Sequence, residues 1–155
     1  MTFSFNLVEE PFLPCLRHDG SVAELGLKDA LLQSPDIREI RDASPLVTIS
    51  LHRLLLALLH RNFGPESLSD WKKLWEARQF DAATLERYFR KWHDRFDLFD
   101  QEHPFYQTAG FETKEPSSIN RLAHELAAGN NTTLFDHSLD HGARPVGPGE
   151  AARLA

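Results

Sequence analysis

The sequence of 155 residues contains a single cysteine, Cys15, and no long hydrophobic run. One cysteine excludes an internal disulfide and a zinc site built from cysteines, and it fits a reducing compartment. The longest apolar run, residues 54–59, is too short to span a bilayer. The first residues lack the basic stretch and apolar core of a signal peptide. We therefore expect a cytoplasmic protein.

The sequence also lacks an excess of positive charge. Its formal net charge is −6, so any DNA contact has to be local or supported by a partner. Residues 71–95 nevertheless carry seven Lys/Arg against four Asp/Glu. This local excess is typical of solvated helix faces, and the alternative is a surface for a partner or a nucleic acid. Phosphate-binding loops, serine nucleophile elbows and dinucleotide-binding glycine motifs are absent from the sequence.

What is present suits one domain with a sizeable core, because 41% of the residues are hydrophobic and 26% are charged. Apolar residues alternate over residues 3–8, which predicts a strand. Residues 12–16 form a second extended segment, and Pro14 favours a place at a sheet edge. Asp19 and Gly20 predict a turn, and residues 26–33 and 37–40 predict a short helix and a short strand.

Three longer helices follow. Ser44 and Pro45 predict the start of a helix that runs to about residue 62 and carries apolar residues around most of its circumference, so we expect it to be the central buried helix. Residues 67–79 and 82–94 predict two more, and the three tryptophans at helical spacing are expected in the core. A further helix is predicted over residues 117–127. These elements indicate an α+β fold, mostly helical with a small N-terminal β element.

A polar segment, residues 130–141, has neither helical nor strand periodicity and is rich in Asn, Thr, Asp and His. We interpret it as a loop, and a loop of this composition between packed elements is a candidate binding surface. A Gly/Pro-rich run, residues 142–149, follows. The last six residues, 150–155, begin a helix that is too short to hold alone, so we expect it to be frayed.

Two histidines of this segment open an enzymatic alternative. Asp136-His137 and Asp140-His141 repeat at a spacing of four, which on a helix places both histidines on one face, as in many metal sites. The alternatives are a surface histidine pair and a metal-dependent hydrolase that uses these four residues. Stoichiometric metal in the purified protein would favour the hydrolase. His103, before Pro104, is either a general base or a histidine hydrogen-bonded in an aromatic corner.

Four stretches, in order, resemble one family. Residues 5–14 are similar to an N-L-x-x-E-P-[WF]-[IL]-P opening, residues 45–60 to a leucine-rich helix, and residues 103–108 to an H-P-F-x-Q segment. Residues 130–140 resemble the first DNA-contacting loop of the same family. The family is CasA, the large subunit of the type I-E CRISPR Cascade complex. The resemblance implies that residues 1–155 form a single domain, the N-terminal portion of a larger one.

The resemblance also implies a function without catalysis or cofactor. The CasA subunit recognises the PAM, a short motif beside the target in double-stranded DNA, and helps to start unwinding. It works with the other Cascade subunits and the CRISPR RNA, and it supports recruitment of a helicase-nuclease.

The resemblance places a DNA-contacting loop at residues 128–149, which we call the predicted loop. Alignment puts the family's PAM-reading tripeptide on Phe135, Asp136 and His137, where this chain departs from a Phe-Val-Asn form. An anionic Asp136 is costly beside phosphates. The predicted DNA-binding residues are Asn130, Asn131, Thr132, Phe135, Asp136 and His137.

Overall fold

A computed structural model describes residues 3–115, 117, 119–123 and 145–155. Three strands form one antiparallel sheet: β1 (Leu13–Arg17), β2 (Val22–Leu25) and β3 (Ile37–Ile40). The α-helices of the described ranges are α1 (Leu27–Leu32), α2 (Pro45–Phe63), α3 (Leu68–Ala77), α4 (Ala82–Trp92) and α5 (Pro148–Leu154). The predicted α+β class, mostly helical with a small β element, is confirmed. None of the helices in these ranges is both long and apolar enough to cross a membrane.

The predicted edge position of the second extended segment is wrong, because β1 lies between β2 and β3. The sheet accommodates Pro14, which has no N–H to donate. The Pro14 carbonyl accepts the N–H of Arg41 at 3.0 Å, one residue beyond the end of β3. The position that lacks a donor therefore falls where the ladder is already ending. The predicted Asp-Gly turn is confirmed, with Gly20 at φ +86 between β1 and β2.

The predicted strand over residues 3–8 is also wrong. Asn6 forms only an isolated bridge with Asp97, and the chain then turns. The Asn6 carbonyl accepts the N–H groups of Glu9 and Glu10 at 3.2 and 2.8 Å. Leu7 and Val8 are consecutive yet both buried, which a half-buried strand with alternating faces does not allow.

This N-terminal turn caps α1. The N–H groups of Leu27 and Lys28, which have no partner within the helix, donate to the carbonyls of Leu7 and Val8 at 2.9 and 3.2 Å. The close approach requires glycine before the helix, because a Cβ at Gly26 would lie 2.6 Å from the Val8 carbonyl oxygen. The turn and α1 are thus locked together by backbone contacts.

The long helix α2 starts as predicted, with Ser44 at the N-cap and Pro45 in the first turn, although the Ser44 side chain makes no capping bond. It is not the central buried helix that its largely apolar circumference predicted. One stripe faces the core, and its buried residues are Val47, Leu51, Leu55 and Leu58. Leu46, Ile49 and Leu56 on the other sides are more than half exposed. The packing partners of this helix include β3, α4 and α5.

The two shorter helices start within one residue of the predicted positions and end two residues earlier than predicted. The side chains of Ser67 and Asp81 accept the N–H groups of Asp70 and Thr84. The hydrogen bonds from Thr84 also hold the pKa of the Asp81 carboxyl below its usual value. The amphipathic α4 buries Leu85 and Phe89, whereas none of the ten residues of α3 is buried.

The tryptophans do not all lie in the core, which corrects the prediction. Trp71 and Trp75 on α3 are 51% and 71% exposed. Trp92 packs against the core at the end of α4, with the cations of Arg61 and Lys91 at 5.4 and 5.2 Å from its ring centre. Helical spacing of aromatic residues predicted the helices correctly but could not say which face is covered.

The one-sided burial of α2 gives a paired test. We expect Leu55→Ala to lower the free energy of unfolding by about 2–5 kcal/mol, because it leaves a cavity in the core. Leu56→Ala, one residue further along, should change it by less than about 0.5 kcal/mol, since Leu56 is 54% exposed. Urea unfolding monitored by circular dichroism measures both. Equal losses in the two variants would contradict the one-sided packing of α2.

Candidate nucleic-acid interface

The predicted DNA-contacting side chains lie outside the described residues, so their placement stays a prediction. This applies to Asn130, Asn131, Thr132, Phe135, Asp136 and His137, and to Asp140 and His141 of the hydrolase alternative. The structure does describe what precedes and follows them. On the upstream side, a 3₁₀ turn at Ile119–Leu122 stands where a longer helix was predicted, and Ala123 is 5% exposed. Residues 124–127 of that predicted helix lie outside the described ranges.

On the downstream side, α5 is packed rather than frayed, which corrects the prediction for residues 150–155. Ala152 and Leu154 pack against the core cluster. Pro148 and Gly149, the last two residues of the predicted loop, form the first turn of α5. Gly149 approaches the N-terminal segment so closely that a Cβ would lie 2.9 Å from the Pro11 carbonyl oxygen.

A single arginine fastens α5 to the rest of the chain. The Arg153 Nη1 donates to the Phe12 carbonyl at 2.8 Å and to Glu24 Oε1 at 2.7 Å. Its Nε lies 3.1 Å from Asp42 Oδ2. The Arg153 and Asp42 side chains are only 16% and 19% exposed, so water screens this pair less than a surface ion pair. The guanidinium joins the helix that follows the predicted loop to β2, to the segment before β1 and to the segment before α2.

Sequence reasoning did not single out Arg153. The sequence did contain a feature that could have pointed to it: Arg153 is the only cation in residues 150–155, whose other members are alanines, a leucine and a glutamate. Its partners Glu24 and Asp42 lie more than 100 residues earlier, and only the fold brings them together.

Residues of the opening motif, residues 5–14, hold the N-terminal turn in place. The buried Asn6 uses Oδ1 to accept the N–H of Val8 at 3.0 Å and Nδ2 to donate to the His93 carbonyl at 2.8 Å. Glu9 Oε2 lies 3.0 Å from His93 Nε2. Asn6 of this motif, together with Glu9 at one of its variable positions, therefore holds the N-terminal turn against the end of α4.

The aromatic segment over residues 103–107 is likewise held by its own side chains. Phe105 stacks on the buried Phe96 with ring centres 5.6 Å apart. Gln107 Nε2 donates to the Leu98 carbonyl at 2.8 Å. His103 is exposed, and the Asp100 carboxylate accepts its backbone N–H. The predicted aromatic-corner bond for the His103 imidazole is not formed among the described residues.

The described part of the chain has neither a cluster of metal-ligating side chains nor an activated thiol. It contains no group of three or more His, Cys, Asp or Glu side chains that could hold a metal. Cys15 is fully buried in β1, and burial raises the pKa of its thiol to about 11 despite the nearby Arg17. A thiol of this kind is protonated at neutral pH and is a poor nucleophile.

Taken together, these contacts define an α+β fold in which α5, the helix that follows the predicted loop, is packed onto the core. The comparisons give the family: the chain belongs to the CRISPR-associated protein Cse1 family, whose model matches residues 6–154. A CRISPR-associated protein CasA/Cse1 from Thermus thermophilus is 40% identical over 153 residues, which is 96% of this chain and 30% of that protein. The chain thus spans about a third of this relative's length.

Solved structures agree with this assignment. The crystal structure of Thermobifida fusca Cse1 is similar with a TM-score of 0.85 and 34% identity, over 97% of this chain and 29% of the other. A chain in a CRISPR RNA-guided surveillance complex, captured before nicking, is similar with a TM-score of 0.85 and 26% identity, over 97% and 32%. The resemblance identified in the sequence is therefore confirmed.

The fastening by Arg153 can be tested separately from DNA binding. We expect Arg153→Met to lower the free energy of unfolding by about 1–3 kcal/mol, because Asp42 and the Phe12 carbonyl lose their donor in a partly buried site. Arg38→Met, at an exposed position of β3, is the matched control and should change it by less than about 0.5 kcal/mol. Urea unfolding gives the comparison. A loss no larger than that of the control would show that Arg153 does not fasten α5.

Proposed function

We propose that this chain acts as part of a non-catalytic subunit of an RNA-guided CRISPR surveillance complex, where it recognises the PAM of double-stranded target DNA and helps to initiate unwinding. The main support is that the Cse1 family model matches residues 6–154 and so includes the predicted loop. The similarity to a chain of an RNA-guided surveillance complex adds to this. The proposed partners are the other Cascade subunits, the CRISPR RNA and, after target binding, a helicase-nuclease.

The net charge of the chain is compatible with this role only if other subunits of the complex neutralise most of the DNA phosphates. Affinity for duplex DNA comes largely from neutralised phosphates, and the 17 Lys and Arg residues of this chain are outnumbered by 23 Asp and Glu residues. In an RNA-guided complex the guide reads the target by base pairing, and protein side chains need to read only a short duplex motif. Neighbouring subunits then supply most of the cations, and the chain supplies a local contact.

Each predicted DNA-binding residue has a chemical role in the proposal. The amide and hydroxyl groups of Asn130, Asn131 and Thr132 suit the acceptors at the floor of the minor groove. Phe135 is the apolar wedge at a base step, which assists unwinding by partly unstacking the duplex. His137 adds a donor beside it. Asp136 is disfavoured near phosphates, and we expect it to change the base preference and to weaken the contact relative to a Phe-Val-Asn loop.

The fold supports the proposal through the contacts around the predicted loop. A reading side chain discriminates between bases only when its supporting backbone is held in place. Downstream, Gly149 and Arg153 pack α5 against residues 11–12, and upstream Ala123 is buried. The hydrolase alternative, with Asp136, His137, Asp140 and His141, is not supported by a family match of this kind. Stoichiometric metal in the purified protein would favour it.

The wedge role of Phe135 makes a specific prediction. In a complex reconstituted with guide RNA and the partner subunits, Phe135→Ala should weaken binding to a target with a PAM by about 1–3 kcal/mol. Binding to the same duplex without a PAM should change little, because that affinity is mostly phosphate charge. Electrophoretic mobility shifts with both duplexes measure this.

Phe111→Ala is the matched control, since Phe111 is 74% exposed and lies outside the predicted loop; it should alter neither affinity. Urea unfolding separates a reader from a structural anchor, because loss of a buried anchor costs several kcal/mol of stability. If Phe135→Ala destabilises the fold by that amount, or reduces binding equally with and without a PAM, Phe135 is not a PAM reader.

A further inference from the structure

An apolar groove lies beside the exposed side of α2, away from its buried stripe. Its floor and walls come from α2, α3 and the segments beside them, and it encloses about 570 Å³. The lining residues are Leu56, Leu59, His60, Phe63, Pro65, Trp71, Leu74, Trp75, Arg78 and Phe80. Eight of these ten are apolar, and the two polar members, His60 and Arg78, are both basic.

The helix that forms one wall has little support of its own. None of the residues of α3 is buried, and an isolated helix of about ten residues is marginal in water. Stacking of Phe63 on Phe80, at 5.5 Å between ring centres, joins the two ends of the segment that carries α3. The helix is thus tethered at its ends while its aromatic face remains open.

Three large apolar side chains that line the groove are at least half exposed. Leu56 and Trp71 are 54% and 51% exposed, and Trp75 is 71% exposed. A contiguous patch of large apolar side chains bordered by polar residues is typical of a protein interaction site. Trp and Arg are also the residues that most often dominate the energy of such sites.

The basic residues at the groove indicate which kind of partner fits it. Neither Arg78 nor His60 forms an ion pair with another residue of the described ranges, and no acidic side chain of those ranges lines the groove. By contrast, the nearby Lys72 and Lys73 are already paired with Glu76 and Asp70 on α3 itself. A cation beside an apolar groove favours a partner that brings a carboxylate to its edge.

The same features disfavour single-stranded nucleic acid. Trp71 and Trp75 stack on each other with ring centres 5.6 Å apart and 12° between planes, so no base fits between them. A nucleic-acid groove follows the phosphate backbone with many cations, whereas this groove is lined by two basic residues. Its aliphatic and aromatic lining matches side chains at the i, i+3, i+4 and i+7 positions of a helix.

We propose that the groove between α2 and α3 docks an amphipathic helix of a partner polypeptide, with leucine-like side chains against Trp71 and Trp75 and a carboxylate on Arg78. This proposal does not depend on the proposed PAM recognition.

The probe is a pair of synthetic helical peptides of about 18 residues, long enough to hold helical structure. Both carry Leu at i, i+4, i+7 and i+11; one has Glu along the edges of this stripe, and the other has Lys at the same positions. Titration calorimetry gives affinities, and tryptophan emission reports burial of Trp71 and Trp75. We expect the Glu peptide to bind roughly fivefold more tightly than the Lys peptide, the scale of one exposed ion pair.

Variants assign the contacts. Trp75→Ala should weaken binding of the Glu peptide by about thirtyfold or more, as for a central interface residue, and Leu68→Ala on the same helix but outside the groove should not. Arg78→Gln should abolish the preference for Glu over Lys, whereas Lys72→Gln should preserve it. Circular dichroism confirms that each variant is folded.

Several outcomes would overturn the proposal: no binding of either peptide, equal affinity for both, or binding unchanged by Trp75→Ala. Self-association of the chain in sedimentation that is lost in Trp75→Ala would assign the groove to a second copy. Displacement of the peptide by single-stranded oligothymidine would assign it to nucleic acid.

Discussion

The fold depends on the burial of one short segment, residues 6–15, which is in contact with α1, with the turn after α4 and with α5. Five of the seven largest fully buried side chains of the described residues come from it: Leu7, Val8, Phe12, Leu13 and Cys15. Its backbone also forms hydrogen bonds with several other elements. Leu7 donates to the Phe96 carbonyl, and the Leu7 carbonyl in turn accepts the N–H of Leu27. Since α1, the turn after α4 and α5 all bond to this segment, none of them keeps its position without it.

This constraint changes how the family motif is understood. Asn6 of its N-L-x-x-E-P pattern, and Glu9 at a variable position of that pattern, fasten the segment to His93. Pro11 and Phe12 contact Gly149 and Arg153 of α5. The motif is therefore structural, and its connection to the proposed DNA recognition is indirect. It sets where the chain re-enters the core after the predicted loop. A side chain that reads a PAM discriminates better with such support. If it were loosely held, the entropy lost in ordering it on binding would offset the free energy gained from its contact with the base.

Local chemistry in the sequence predicted most helix starts and one turn, because Ser67, Asp81, Pro45 and the Asp19-Gly20 pair act on their immediate neighbours. It could not predict burial. The alternation over residues 3–8 suggested a strand, yet Leu7 and Val8 are both covered because α1 closes over the turn. The same reasoning expected Trp71 and Trp75 in the core and missed the pairing of Arg153 with Asp42, since these depend on distant elements. The candidate site came from the family resemblance, and its individual residues remain predictions.

Native-state hydrogen exchange tests the central role of the N-terminal segment most directly. The Leu7 amide donates to the Phe96 carbonyl, the Leu27 amide donates to the Leu7 carbonyl, and the Leu98 amide donates to the carbonyl of Phe5, just before the segment. If the segment is the centre of the fold, these amides open only in global unfolding and exchange with the same free energy as Phe89 in α4. Exchange of Leu7 and Leu27 at the rate of a fraying terminus, while Phe89 stays protected, would contradict the account.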